Sequence, residues 1–127
     1  LATELAELVV SDAQKHRILI VIEDIPHLAD GAADRPMRAL LQAMNNSDHM
    51  LIGEAEITRA NGSIGVLGEW KSGRQGIVLK PETYDGESLF KVPFSRMKRS
   101  DFPVGRGIMV QAGRAITMQM PYVPEQS

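Results

Sequence analysis

The chain has 127 residues, 43% of them hydrophobic and 24% charged, which suits one modest globular domain and excludes disorder over most of its length. Its 14 basic and 16 acidic side chains leave a formal charge of -2, so no global basic field draws it to nucleic acid or anionic lipid, and any polyanion contact has to be local. Cysteine is absent, which removes disulfides and thiolate metal sites and fits a reducing, cytoplasmic setting.

No apolar run approaches the roughly 20 residues of a membrane span. The opening stretch LATELAELVVSDAQKHR carries acids where a signal peptide carries basic residues, so this piece reads as soluble, without direct membrane insertion. A start at Leu1 in place of an initiator Met is read as excision from a longer polypeptide.

Leu1, Leu5, Leu8 and Val9 recur at helical spacing and predict an amphipathic helix ending near Gln14. The unbroken aliphatic run Ile18 to Ile22 follows, closed by Glu23 and Asp24, and predicts a strand buried on both faces whose C-terminal end points acids into a cleft. Residues 31–33 form a loop. Asp34 is placed to cap a helix with Pro36 in its first turn and Met37, Leu40, Leu41 and Met44 along one face, stopped by Asn45 and Asn46.

A short strand is predicted at Met50 to Gly53, then a helix over about 63–71 with Ile64, Leu67 and Trp70 on one face and Gly73 as its C-cap. Strand, helix, strand, helix is the pattern of a parallel sheet. Ile77 to Leu79 reads as a further strand, and Pro81 to Arg99 as a polar connection anchored by Leu89, Phe90, Val92 and Phe94. Ile108 to Gln111 and Arg114 to Met120 flank Ala112-Gly113 as a closing β-hairpin, with a frayed tail from Pro121. No internal repeat, low-complexity tract or domain boundary interrupts the pattern. A three-layer α/β domain is expected, with one mainly parallel sheet finished by an antiparallel hairpin at one edge.

ILIVIED, five apolar residues and then two acids, has the form of a Walker B strand, in which one carboxylate holds the nucleotide's magnesium and the next polarises the attacking water. The usual order is Asp then Glu. Here Glu23 precedes Asp24, which displaces each carboxylate by about one methylene. A buried strand that simply ends in solvated acids is the competing reading. A motor also needs G-x-x-x-x-G-K-[ST] to cradle the phosphates. Nothing before Ile18 supplies it, since that stretch contains no glycine.

ILIVIED followed by HLAD, the strand MLIG, the segment ending in SGRQG, the phrase GIVLKP and the terminal FPVGRGIMVQAGRAITMQM together resemble the last ATPase domain of FtsK/SpoIIIE-type proteins, including type VII secretion ATPases. The likeness covers roughly 17–123. It implies a P-loop NTPase fold of RecA-like form lacking its N-terminal phosphate-loop part. The divisions implied are a leading helix over 1–15, a βαβ core over 16–80, a connection over 81–107 and the hairpin over 108–120.

The same resemblance implies a hexameric, membrane-anchored motor that moves DNA or helical secretion substrates, with other motor domains of the same chain or hexamer as partners. ATP and Mg2+ are its cofactors in the parent protein, and none is expected to bind tightly to this piece. Residue by residue, Glu23 and Asp24 match the Walker B acids and the magnesium ligands. Glu54 falls at a sensor position after the next strand, and Arg74 where such motors offer an arginine to a neighbouring subunit. The letters GEAEITRA depart from the family's usual pattern, and with the inverted acids they point to a degenerate domain that binds or regulates rather than hydrolyses.

Arg106, between Gly105 and Gly107, either faces phosphate or adenine or closes a loop by pairing with a carboxylate. A non-enzymatic docking module that takes a secretion-signal helix in an apolar groove is the alternative outside enzymes. A response-regulator receiver is more remote, because no Asp occurs between Asp48 and Asp85 to accept phosphate. His16, His27 and His49 lack metal-ligand spacing and read as bystanders, and the methionines as core filling. Arg96, Lys98 and Arg99 form a short basic cluster, either solvated or a contact to DNA or a neighbouring subunit.

Overall fold

The computed structural model describes residues 1–11 and 16–126. The chain packs as two compact units, 1–73 and 74–127.

In the first unit, α1 (Ala2–Val10) presents Ala2, Leu5, Ala6 and Val9 to the core, while Leu1 and Leu8 point to solvent. The buried stripe is therefore rotated from the predicted one. The helix ends at Val10 with an extended Ser11, and the predicted end at Gln14 lies outside the described residues. The central helix α2 (Asp34–Asn45) buries Met37, Leu40, Leu41 and Met44, the predicted face, and both α1 and α3 (Gly65–Lys71) pack on it. Burying those four side chains contributes on the order of 2 kcal/mol each before entropy is counted.

Asp34 does not cap its own helix, for which Ala33 is the N-cap. Its Oδ1 instead accepts the Val66 N–H at 3.2 Å, so it caps the start of α3, and its Oδ2 lies 2.9 Å from Arg38 Nε. In α3, Val66 is buried where Ile64 was expected, and Ile64 precedes the helix as its exposed N-cap.

Strands β1 (Leu19–Ile22) and β2 (Met50–Gly53) pair in parallel, Leu19 opposite Met50 through Ile22 opposite Gly53. Both alternate. Ile20, Ile22 and Leu51 turn inward to the helical core, whereas Leu19, Val21, Met50 and Ile52 are 48–63% exposed on the other face. The expected burial of this strand on both faces is not what forms, because helices cover one side only. Gly53 keeps the inward face flat where Trp70 packs: a Cβ there would stand 2.6 Å from the indole Nε1.

The second unit is built on an antiparallel sheet of β3 (Gly76–Leu79), β4 (Arg106–Gln111) and β5 (Arg114–Gln119), in that order. The parallel pair and this sheet are separate, so β3 does not extend β1 and β2, and the single mainly parallel sheet expected from the sequence is replaced by two. The hairpin forms as predicted. Ala112 and Gly113 both take positive φ, 51° and 73°, the requirement of a two-residue type I′ turn. One sheet face carries Val78, Ile108 and Val110, buried together with Phe90, Phe94 and Phe102. The stretch expected as an irregular connection folds a π-helical turn at Gly86–Phe90 and a 3-10 turn at Arg99–Asp101, because those aromatic rings must be brought down onto the sheet.

Candidate functional site

The acids that follow β1 and β2 meet by topology. In a parallel pair both C-terminal ends lie on the same side, so the loop after β1 faces the loop after β2. The ladder continues past the strands: Glu54 N–H donates to Ile22 O at 3.0 Å and Ile25 N–H to Glu54 O at 3.0 Å. Glu23 and Asp24 are looped out between those two bonds. Asp24 accordingly sits in the left-handed region, φ 50° and ψ 57°, a conformation that costs a non-glycine residue about 1 kcal/mol or more.

Three contacts fix it there. The Asp24 N–H donates to Glu54 Oε2 at 3.1 Å, the Asp24 carbonyl accepts the His27 N–H at 2.9 Å, and Arg59 Nη1 donates to Asp24 Oδ1 at 2.7 Å. Arg59 comes from the 3-10 turn Ile57–Arg59, whose neighbouring Thr58 hydroxyl donates to Glu56 Oε1 at 3.0 Å. The pair is roughly half exposed, 47% for Arg59 and 46% for Asp24.

The predicted acids are thus brought together, but their free valences are not. One carboxylate of the three accepts a backbone N–H and a second is bound by a guanidinium, while Glu23 points to solvent. Among the described residues no three His, Asp or Glu side chains converge as a cation site. The Arg59 guanidinium, 2.7 Å from Asp24 Oδ1, engages one of the two oxygens of the acid at the Walker B position. What the arrangement does is hold a tight turn at the sheet's carboxyl edge.

Comparison with protein-family models, characterised proteins and solved structures gives no match.

The remaining candidates lie in the second unit. Arg74 is its first residue, exposed and at φ 50°. Arg106 opens β4, with Nε donating to Gln119 Oε1 at 3.3 Å and Nη1 to Asp101 O at 3.4 Å. It closes a loop, as one reading of it held, but on amide and carbonyl oxygens in place of a carboxylate.

Two residues with structural work escaped the sequence. His49 is not a bystander: its Nδ1 accepts the Ile18 N–H at 3.0 Å, and its own N–H donates to Ser47 Oγ at 3.1 Å, tying the start of β1 to the loop before β2. Arg59 was visible as a cation in the loop after β2, and strand order puts that loop on the same edge as the acids after β1, but its pairing with Asp24 is set by the folded chain.

Proposed function

We propose that this chain is a degenerate, non-hydrolysing piece of a FtsK/SpoIIIE-like translocase, acting in protein secretion by docking rather than by turnover. The observation that carries the reading is the open face of the parallel pair. Leu19, Val21, Met50 and Ile52 lie side by side in register and exposed, although parallel sheets are otherwise covered on both faces. A sheet with helices on one side and an aliphatic stripe on the other is half of a three-layer sandwich. The RecA-like architecture implied by the sequence resemblance supplies the other half as a further layer of the motor assembly. The ion pair of Asp24 with Arg59 supports the non-hydrolysing part, since it ties a Walker B-like acid into a turn.

Two measurements test this. Phosphate release from magnesium-ATP is expected to stay at background, and turnover that vanishes on Glu23→Gln would overturn the degenerate assignment. In sedimentation velocity the wild-type chain is expected to self-associate with rising concentration, as exposed apolar stripes do, and Val21→Lys to remain monomeric with unchanged circular dichroism. A wild-type chain that stays monomeric at high concentration removes the docking face.

A further inference from the structure

In the second unit the aromatic cover does not reach the edge of its sheet. Phe90, Phe94 and Phe102 are buried with Val78, Ile108 and Val110 of β3 and β4. On β5 the same face carries Ala115 and Thr117, which register opposite Val110 and Ile108 and remain exposed. Between them and the chain from Val92 to Phe102 runs an open groove of about 670 Å³, floored by Phe94, Phe102 and Ile108 and flanked by Arg96 and Arg106. That volume is in the range of sites that bind small molecules or short peptide segments.

Among the described residues no strand pairs with the edge beside this groove. Met120 N–H donates to Gly105 O at 2.8 Å, which fixes the alternation of the hairpin ladder. Pairs two apart from it, Gly107 with Met118 and Met109 with Ile116, are the hydrogen-bonded ones. Ala115 and Thr117 therefore turn their N–H and C=O groups away from β4. β5 is the terminal strand of its sheet, six residues long, and contains neither lysine nor proline, the usual guards of an exposed edge.

Charge selects the occupant. From Ser88 to Pro124 the basic residues are Lys91, Arg96, Lys98, Arg99, Arg106 and Arg114, and the one acid is Asp101. Asp101 is already engaged, its Oδ2 accepting the Lys98 N–H at 2.9 Å. None of the six cations forms an ion pair among the described residues, where the pairs are Leu1 with Glu4, Arg38 with Asp34 and Arg59 with Asp24. Arg106 is held in place by neutral oxygens, which orient its guanidinium without neutralising it.

We propose that the free edge of β5 and the adjoining basic groove bind an extended acidic peptide, which joins the antiparallel sheet as a fourth strand. The backbone of the peptide pairs with Ala115 and Thr117. Its alternate side chains drop over the Ala115 and Thr117 face, where small residues leave room, and its carboxylates meet Arg96 and Arg106. Strand addition supplies the affinity, and the arginines, with donors arranged to take carboxylates, supply the selectivity.

The probe is a fluorescein-labelled peptide of about eight residues that alternates Glu with Val or Thr, long enough to span β5. It is titrated with the full chain and followed by anisotropy. Binding is expected to weaken about tenfold in each of Arg96→Gln and Arg106→Gln, and to fall steeply with salt. Hydrogen exchange is expected to slow at the amides of Ala115 and Thr117 when peptide is added, while those of Met109 and Ile116 keep their rates.

Thr117→Pro removes one outward donor without touching the bonds to β4, and is expected to abolish binding while the hairpin persists in circular dichroism. A peptide with Lys in place of Glu, or with Pro at alternate positions, is expected not to bind. Retained binding by the proline peptide, or unchanged exchange at Ala115 and Thr117, overturns strand addition. Tighter binding by an oligothymidylate of similar charge overturns the peptide in favour of nucleic acid.

Discussion

Replacing Arg59 by Ala tests whether the acids at the end of the parallel pair form a turn or a reactive centre. The guanidinium and the Asp24 carboxylate are 2.7 Å apart, and each side chain is close to half exposed. In water that separation corresponds to about 1.5 kcal/mol of attraction, and ordering two long side chains and screening by salt reduce exposed pairs to between about 0.2 and 1 kcal/mol. The double-mutant cycle of Arg59→Ala with Asp24→Asn isolates the charge part, and Asn is the apt replacement because it tolerates the left-handed backbone at φ 50°. A coupling near 0.5 kcal/mol is expected, shrinking in molar salt, where the screening length falls to about 3 Å.

Glu54→Ala should cost about 0.5–1 kcal/mol, because it takes away the acceptor for the Asp24 N–H in a left-handed turn that water can reach. Urea unfolding followed by Trp70 fluorescence reads all of these, since the one tryptophan packs beside Gly53 at the end of β2. A coupling above about 2 kcal/mol, or one indifferent to salt, would refute a solvent-exposed pair and indicate a desolvated charge centre.

Two further outcomes follow from close contacts. A Cβ at Gly107 would overlap Val78 O on the paired strand and stand 3.0 Å from Leu79 Cδ2, so Gly107→Ala is expected to lose about 2 kcal/mol and to speed amide exchange in β3 and β4 roughly 30-fold. Gly73→Ala, with nothing within 4 Å, should be neutral, and equal effects of the two would show that the β3–β4 approach is looser than described. His49→Leu leaves the half-buried Ile18 N–H without its acceptor and should cost about 1 kcal/mol by urea titration, whereas His49→Asn, which can place an oxygen near Nδ1, should recover most of it. Equal losses in both would show that the ring is valued for packing alone.

Local pattern determined much of this protein from its sequence. The face of α2 was legible because Met37, Leu40, Leu41 and Met44 repeat with the helical period, and the hairpin because Ala112-Gly113 separates two apolar runs. The acids after β1 and Glu54 after β2 were legible as neighbours, since strand order places both loops at one edge.

Tertiary structure decided the rest. Whether an all-aliphatic strand is covered on both faces depends on what packs against it, and here the helices of the first unit reach one face only, leaving Val21 and Ile52 exposed. Ile77 to Leu79 has the same composition in a parallel or an antiparallel pairing, and partner choice was made by the register of Val78 with Ile108 and by three phenylalanines folding over them. The side-chain contacts that close the turns, Arg59 to Asp24 across 35 residues and Asp34 to Val66 across 32, have no sequence period at all. They exist because the fold brings unrelated loops within a hydrogen bond's length, and only the folded chain sets those distances.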